Sequence, residues 1–384
     1  MASTFRLGVV AAEPSGDRLG GGVVSALRAR LPSVELRGVG GPELAAHGLQ
    51  SICDIHDLSV MGVEDLVRKL PHALGIRRRL YREFVSDPPD IFLGIDSPDF
   101  NLRLERRLRT SGVPVIHLVS PTVWAWRSYR VAKIRRAVDR ILVLFPFEER
   151  YYETRGVPAT FVGHPAARET SGLTRTSARA DLGINTNAKV VSVLPGSRES
   201  EIRHLANVFA GTMRALSMNN ADVRFLVPFA SDRVRRQFCQ LTSLEDFADR
   251  VTFVDGRART CLAASDAALI ASGTAALEAA LVGCPMVVAY RVSSLSYRIA
   301  TTLASTRMVS MPNHLMATPL IPEFLQDDAN EQNLVPAVQQ LLDDEATARE
   351  MRRALATIQR DLDIDTNNRI VDTMLEMASS EWTS

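Results

Sequence analysis

The sequence predicts an α/β protein built as two doubly wound parallel-sheet domains in tandem, closed by a helical C-terminal segment. Short β-rich apolar runs alternate with helical patterns along nearly the whole chain, the grammar of βαβ units whose sheets are covered on both faces. The pattern breaks once, in the small, polar stretch AARETSGLTRTSARADLGINTN after Pro165, and then restarts. At 384 residues the chain exceeds the usual size of one domain, so two domains of roughly 100–200 residues each are expected.

Taken in order, the first-half strands are expected at Arg6 to Ala11, Glu35 to Gly38, Ile91 to Ile95, Pro114 to Val119, Arg140 to Leu144 and Ala159 to Val162, with helical patterns between most of them. The first domain is placed at 1–167 and the polar stretch 168–187 is expected to be a linker, having little hydrophobic periodicity. The second domain, 188–345, carries strands at Lys189 to Leu194, Arg224 to Val227, Val251 to Val254, Ala267 to Ala271 and Pro285 to Ala289. From Glu199, apolar residues recur at Ile202, Leu205, Phe209, Met213 and Leu216, close to helical spacing. Residues 346–384 read as helices that cross back onto the first domain or onto another subunit of a homodimer, and the sequence leaves both open.

Composition removes several classes. With 45 basic against 44 acidic side chains the net charge is +1, which gives no global reason to expect nucleic acid. Cys53, Cys239, Cys261 and Cys284 are scattered, without a CxxC pair, as expected of reduced, buried thiols. No run approaches the roughly 18 uncharged apolar residues of a spanning helix, and MASTFRLGVV lacks the order of a signal peptide. A soluble, cytoplasmic or at most peripheral protein is expected. The DLDID at Asp361 to Asp365 imitates a metal-binding DxD but sits in the terminal helical region, so no divalent ion and no cofactor is expected.

Two open sheets in series would place their strand carboxyl ends across a cleft, so residues just after strands carry the information. In ASGTAALEAAL, Ser272 or Thr274 can cap a helix and Gly273 lets a ligand approach backbone N–H groups, which suits a diphosphate. Glu278, about one turn on, can accept from ribose hydroxyls. In VLPGSRESEIRHL, Ser197 can cap and Arg198 stands beside a helix N-terminus, where a shared anion best accounts for it. In AAEPSGDRLGGG, Glu13, Ser15, Gly16 and Asp17 lie on a tight turn that is neither a P-loop nor a G-x-G-x-x-G fingerprint, which disfavours a nicotinamide enzyme. SPTVWAWRSYRVAKIRR puts Trp124 and Trp126 beside arginines. RKLPHALGIRRRLYR, Arg68 to Arg82, has six Lys or Arg and no acid among apolar residues, a pattern suited to an anionic membrane surface. An ordinary N-cap, a packed loop and a solvated helical face remain the plain alternatives to these readings. In FLGIDSPDFN, Asp96 comes first off its strand; Asp99, after Pro98, reads as an N-cap.

These motifs together resemble the lipid-A-disaccharide synthase family, membrane-surface glycosyltransferases of bacterial outer-membrane biogenesis. The resemblance runs through AEPSGD at Glu13, SVMG at Ser59, GIDSPDFN at Gly94, SPTVWAWR at Ser120, FPFE at Phe145, FVGHP at Phe161, LPGSR at Leu194, SGTAALE at Ser272, MPN at Met311 and PEFLQ at Pro322. Pro14 and Met311 depart mildly from the family pattern. The resemblance implies a glycosyltransferase-B architecture with the donor nucleotide in the C-terminal domain. It also implies transfer of 2,3-bis(3-hydroxyacyl)-glucosamine from its UDP derivative to the 6-hydroxyl of 2,3-bis(3-hydroxyacyl)-glucosamine 1-phosphate, at the inner face of the inner membrane. The products are a β-1,6 disaccharide 1-phosphate and UDP.

Inversion is simplest as one displacement assisted by a base in the acceptor domain, and Asp96 is the expected base. Arg198 and the N–H groups around Ser272 to Thr274 are expected to hold the departing diphosphate, with Ser197 on the same turn. Glu278 is assigned to the ribose, Asn313 to the uridine, Glu13, Ser15, Gly16 and Asp17 to the acceptor, and Arg77, Arg78 and Arg79 to an anionic membrane surface. Another lipid-linked UDP-N-acetylglucosamine transferase, or a UDP-sugar epimerase, keeps the fold and changes the chemistry. A non-catalytic UDP-sugar or lipid-binding protein would need no acid at the turn.

Overall fold

The computed structural model describes residues 4–58, 63–126, 128–293, 297 and 308–378, with the side chains of residues 56, 63–70 and 126 outside the description. The SVMG segment at Ser59, the Trp126 side chain, Arg127 and the side chains at the start of the basic segment lie outside these described residues.

Two compact units make up the chain. The first joins Met1–Pro165 to Ile364–Ser384, and the second is Ala166–Asp363. The first holds β1 (Phe5–Ala11), β2 (Val34–Val39), β3 (Gln50–Ser51), β4 (Ile91–Ile95), β5 (Val115–Leu118), β6 (Arg140–Val143) and β7 (Ala159–Phe161), in the spatial order β3-β2-β1-β4-β5-β6-β7. The second holds β8 (Lys189–Leu194), β9 (Val223–Phe229), β10 (Val251–Asp255), β11 (Ala267–Ala271), β12 (Met286–Tyr290) and β13 (Glu323–Leu325), in the order β10-β9-β8-β11-β12-β13. The strand pairings are parallel in both sheets. β3 and β13 were not expected: two and three residues are too few to show an alternation.

Side-chain alternation sorts the first sheet's residues into two cores. Leu7, Val9, Leu93, Ile95 and Ile116 pack with Val23 and Leu27 of the Pro14–Arg30 helix and with Ile370, Val371 and Met374 of the Thr366–Met377 helix. Val10, Phe92, Val115 and Ile141 pack on the other face with Leu80, Phe84, Leu104, Leu108 and Ile134. Gly8 lets Phe84 and Phe92 meet edge to face at 5.4 Å, because a Cβ there would lie 3.1 Å from the Phe84 ring.

The structure differs from the expected linker at 168–187. Pro165–Thr170 and Arg175–Asp181 are helical, and Thr174 caps the second by accepting from the Ser177 N–H. Leu173, Ala178, Leu182 and Ile184 pack on a small core with Val190, Leu226 and Cys261, at spacings too irregular to show a period, and polar contacts complete the hold. Arg179 is 1 % exposed and donates to the carbonyls of Ala264, Asn185 and Thr186 and to Asp266. The C-terminal boundary also moves. Glu345–Leu362 belongs to the second unit, and only the chain from Ile364 joins the first. There Arg369 donates to the Phe161 carbonyl at 2.8 Å and Arg30 pairs with Asp372. In the DLDID stretch Asp365 caps the last helix through the Asn368 N–H.

Candidate functional site

Each sheet has one place where the strand order reverses, between β1 and β4 in the first unit and between β8 and β11 in the second. In open α/β sheets the crevice beyond the strand ends at such a point is where ligands bind. The motif residues concentrate at both.

In the first unit, Ala11 pairs with Ile95, so the turns after β1 and β4 are neighbours. Glu13 and Ser15 are exposed at the start of the Pro14–Arg30 helix. The Ser97 hydroxyl donates to Glu13 Oε1 at 3.5 Å across the reversal point. Asp96 and Ser97 both adopt left-handed backbone, at φ +51° and +43°, a conformation that costs energy outside glycine and collects at functional turns. The Asp96 N–H donates to the Leu118 carbonyl at 2.8 Å, and its own carbonyl accepts from Asn101 Nδ2 at 2.8 Å.

Two acceptor-side assignments change. Asp17 is 2 % exposed, and its carboxylate accepts from the N–H groups of Gly41, Glu43 and Leu44 at 2.7, 2.9 and 3.2 Å. It anchors the start of the Pro42–Ala46 helix and has no face left for a substrate. Gly16 is buried, with a virtual Cβ 3.3 Å from the Ile95 side chain, so it permits close helix–strand packing. Asp99 is not the N-cap. Ser97 holds that position, and Asp99 pairs with Arg130 at 3.0 Å from the first turn.

Three further motifs meet at the ends of β5, β6 and β7. Trp124 packs edge-on to Phe147 at 4.9 Å, Phe145 stacks with Phe147 at 6.1 Å, and His164 lies 5.6 Å from Phe145. Glu148, 2 % exposed, accepts from Trp124 Nε1 at 3.2 Å and from the Phe145 N–H at 3.3 Å. Burial pushes its carboxyl from 4.5 up to about 7, against the pull of those donors and Ser120. A raised carboxyl favours folding most where it is protonated in both states. Glu148 should therefore contribute full stability below about pH 4.5 and lose it as pH rises through about 7, a change of up to about 3 kcal/mol. Denaturant titrations of wild type and Glu148→Gln between pH 4.5 and 8 should show the gap moving in the variant's favour as pH rises. A pH-independent gap would contradict this.

In the second unit, Ile270 pairs with Leu194, which brings the turns after β8 and β11 side by side. Gly196 has φ +126° and lies against Glu201, whose Cβ would be 2.5 Å from a Cβ at 196. Glu201, missed in the sequence, accepts from the N–H groups of Ser197 and Arg198 at 2.8 and 3.2 Å. The Arg198 side chain is 80 % exposed, with Nη1 3.5 Å from Glu201 Oε1. Across the reversal, Gly273 has φ +149°, and no atom of the described residues beyond its chain neighbours lies within 4 Å of where a Cβ would sit. Gly273 itself occupies the cap position of the Thr274–Leu281 helix, and neither Ser272 nor Thr274 caps it. The Ser272 hydroxyl instead donates to the Val309 carbonyl at 3.2 Å.

Glu278 is paired with Arg259 Nε at 3.0 Å, and Arg259 also reaches Glu169 at 2.5 Å. Asn313 is 3 % exposed, and its amide is fully engaged: Nδ2 donates to the Ile321 carbonyl and Glu323 at 2.9 and 2.7 Å, and Oδ1 accepts from the Ile321 N–H at 3.1 Å. Its assignment to the uridine through the side chain is therefore corrected to one of shaping the turn. Glu323 completes that turn by accepting from Val309 N–H, Ser310 N–H and the Ser310 hydroxyl at 2.7, 3.1 and 2.6 Å.

On the Val63–Ser86 helix, Ile76 and Leu80 turn into the core that holds Val10 and Phe92, so these two apolar residues of the basic segment are spent on the protein's own packing. Arg78 and Arg79 are exposed, whereas Arg77 is half-buried and lies 5.9 Å over the Phe100 ring. Burial and the guanidinium groups of Arg103, Arg107 and Arg78 lower the Arg77 pKa. The positive face thus extends onto the Pro98–Thr110 helix, where Arg107 covers the Tyr81 ring at 3.8 Å.

The model of the lipid-A-disaccharide synthetase family matches residues 7–373. The chain belongs to the lipid-A-disaccharide synthase family. The lipid-A-disaccharide synthase of Alkalilimnicola ehrlichii is 46 % identical over 357 residues, 92 % of this chain and 94 % of that protein. The Azotobacter vinelandii lipid-A-disaccharide synthase is 44 % identical over 380 residues, 98 % of this chain and 99 % of its own. Among solved structures, the Neisseria meningitidis UDP-GlcNAc 2-epimerase bound to UDP-GlcNAc superposes with TM-score 0.62 at 14 % identity, covering 97 % of this chain and 99 % of that one. The glycosyltransferase of kitacinnamycin gives 0.62 at 17 %, covering 98 % and 99 %. These two share the fold with the lipid-A-disaccharide synthase family, the tandem α/β architecture of glycosyltransferases and epimerases.

Within this lipid-A-disaccharide synthase family member, the sequence missed side chains that hold the turns rather than occupy them: Asn101, Glu105 and His117 beneath Asp96, and Glu201 and Glu323 in the second unit. One signal was available. A lone glycine inside a strand marks a close approach, and a Cβ on Gly94 would lie 2.0 Å from Glu105 Oε1.

Proposed function

We propose that this chain is an inverting glycosyltransferase that passes diacylated glucosamine from its UDP derivative to the 6-hydroxyl of diacylated glucosamine 1-phosphate, releasing UDP. The observation that carries the reading is that family membership coincides with motif residues gathered at the order reversals of both sheets, the ligand-binding position of this fold class. In the first unit Asp96 takes the proton of the attacking hydroxyl, with Glu13 and Ser15 contacting the acceptor. In the second, Arg198, the Ser197 turn and the N–H groups of Gly273 and Thr274 at the helix start hold the diphosphate as charge develops on it. Glu278 keeps one carboxylate oxygen for the ribose while Arg259 fixes the other. Incubation with the diacylated donor should release UDP only when the diacylated 1-phosphate acceptor is present and should yield a disaccharide lipid. Epimerised UDP-sugar without disaccharide would overturn this reading, and so would UDP binding without turnover.

The acylated substrates place the work at a bilayer. No helix among the described residues is long and apolar enough to cross a membrane, so contact is assigned to the surface of the inner membrane's inner face. The basic face of Arg77, Arg78 and Arg79 supports this, since Lys and Arg near an anionic surface contribute about 1 kcal/mol each. Charge reversal at all three should weaken co-sedimentation with phosphatidylglycerol-containing vesicles by at least tenfold at low salt. Unchanged sedimentation would remove these residues from the contact.

A further inference from the structure

Beneath the turn that carries Asp96 lies a buried polar group with no part in the chemistry described so far. His117 of β5 pairs in register with Gly94 of β4. Its ring is fully buried, and Nδ1 lies 2.6 Å from Oε1 of Glu105, which is also fully buried. One turn earlier on the same helix, Asn101 donates Nδ2 to the carbonyls of Asp96, Ile95 and Val10 at 2.8, 3.3 and 3.4 Å. Residues i and i+4 of the Pro98–Thr110 helix thus reach the end of β4 together, and only glycine at 94 leaves room for Glu105.

Stability alone does not select this arrangement. Among the described residues Asn101 Oδ1 and Glu105 Oε2 have no hydrogen-bond partner, and a buried ion pair is commonly no better for stability than apolar packing. Burial would strip the proton from His117. The charge and hydrogen bond of Glu105, then the Asp96 charge and the Val119 carbonyl, outweigh it and raise the ring's pKa above the usual histidine value. The ionisable groups acting on the ring are Glu105 from the helix and Asp96 from the end of β4; in register on β6 is the apolar Ile141. Left-handed backbone at Asp96, Ser97 and Val119, the last at φ +77°, marks the ends of both strands that flank this group.

We propose that His117 and Glu105, with Asn101, form the positioning network of Asp96, bracing from below the strained turn that aims its carboxylate. The inference rests on Asp96 being the base. His117 is a positioning residue and touches no substrate.

His117→Gln and Glu105→Gln in the full chain test it, with Asp96→Asn alongside. Each of the first two should lower kcat about tenfold or more, part of the effect of a well-placed base, while KM for both substrates stays within about twofold. A lower Tm with kcat at its wild-type value would reduce the network to packing and overturn the proposal. If His117→Gln does not fold, the near-isosteric Glu105→Gln decides, because it too discharges the pair. If Asp96→Asn turns over normally, the base assignment fails, and this inference with it. If Asp96→Asn is inactive but the network variants match wild type, this inference alone fails.

Discussion

Asp96→Asn is expected to lower turnover by about 10²–10⁴-fold, the usual contribution of a positioned general base, while leaving donor binding and the fold in place. Asparagine is the right probe for structural reasons. It tolerates the left-handed backbone that Asp96 adopts, and the observed hydrogen bonds at this position are made by the main chain, so the turn survives the change. Steady-state kinetics should show the loss in kcat with KM little altered, and thermal unfolding should match wild type within a degree or two. Near wild-type turnover would end Asp96's role as base.

Arg198→Ala is expected to cost on the order of 10²-fold in kcat, as loss of one donor to a developing anion does, and to weaken UDP binding. Its side chain is 80 % exposed and its ion pair, to Glu201, is long at 3.5 Å, so little stability depends on it. Removing a cation from a helix N-terminus should leave Tm unchanged or raise it slightly. Arg198→Lys should recover only part of the activity, because a point charge does not replace a planar fork on a diphosphate. Full activity of Arg198→Ala would exclude it from the diphosphate site.

The two turns differ in how readable they were. Asp96 and Arg198 follow apolar runs whose ends are visible in FLGID and VSVLPGSR, and a residue first off a buried strand lies at the ligand end of an α/β sheet. Asp17 and Asn313 sit in equally suggestive motifs, yet their polar atoms are consumed by the backbone of Gly41 to Leu44 and of Ile321. A motif gives residue type and spacing. It cannot say whether another segment, 24 residues away for Asp17, has already taken the carboxylate. The supposed linker failed for a related reason. Arg179 is held by four hydrogen-bonding partners distant from any hydrophobic period, and periodicity registers only apolar burial.

By itself the sequence determined the alternation of strands and helices, the parallel sheets in tandem and the turns where chemistry is expected. All of these follow from short-range patterns of apolar residues, glycines and capping groups, which act within a few residues of one another. Only the tertiary structure decided that the last helix packs with the first unit, that Asp17 and Asn313 are braces, and that Glu105 and His117 stand buried beneath Asp96. Those outcomes depend on which distant segment delivers a hydrogen-bond partner or fills a space, and that is fixed when strands far apart in the chain pair and bring their ends together.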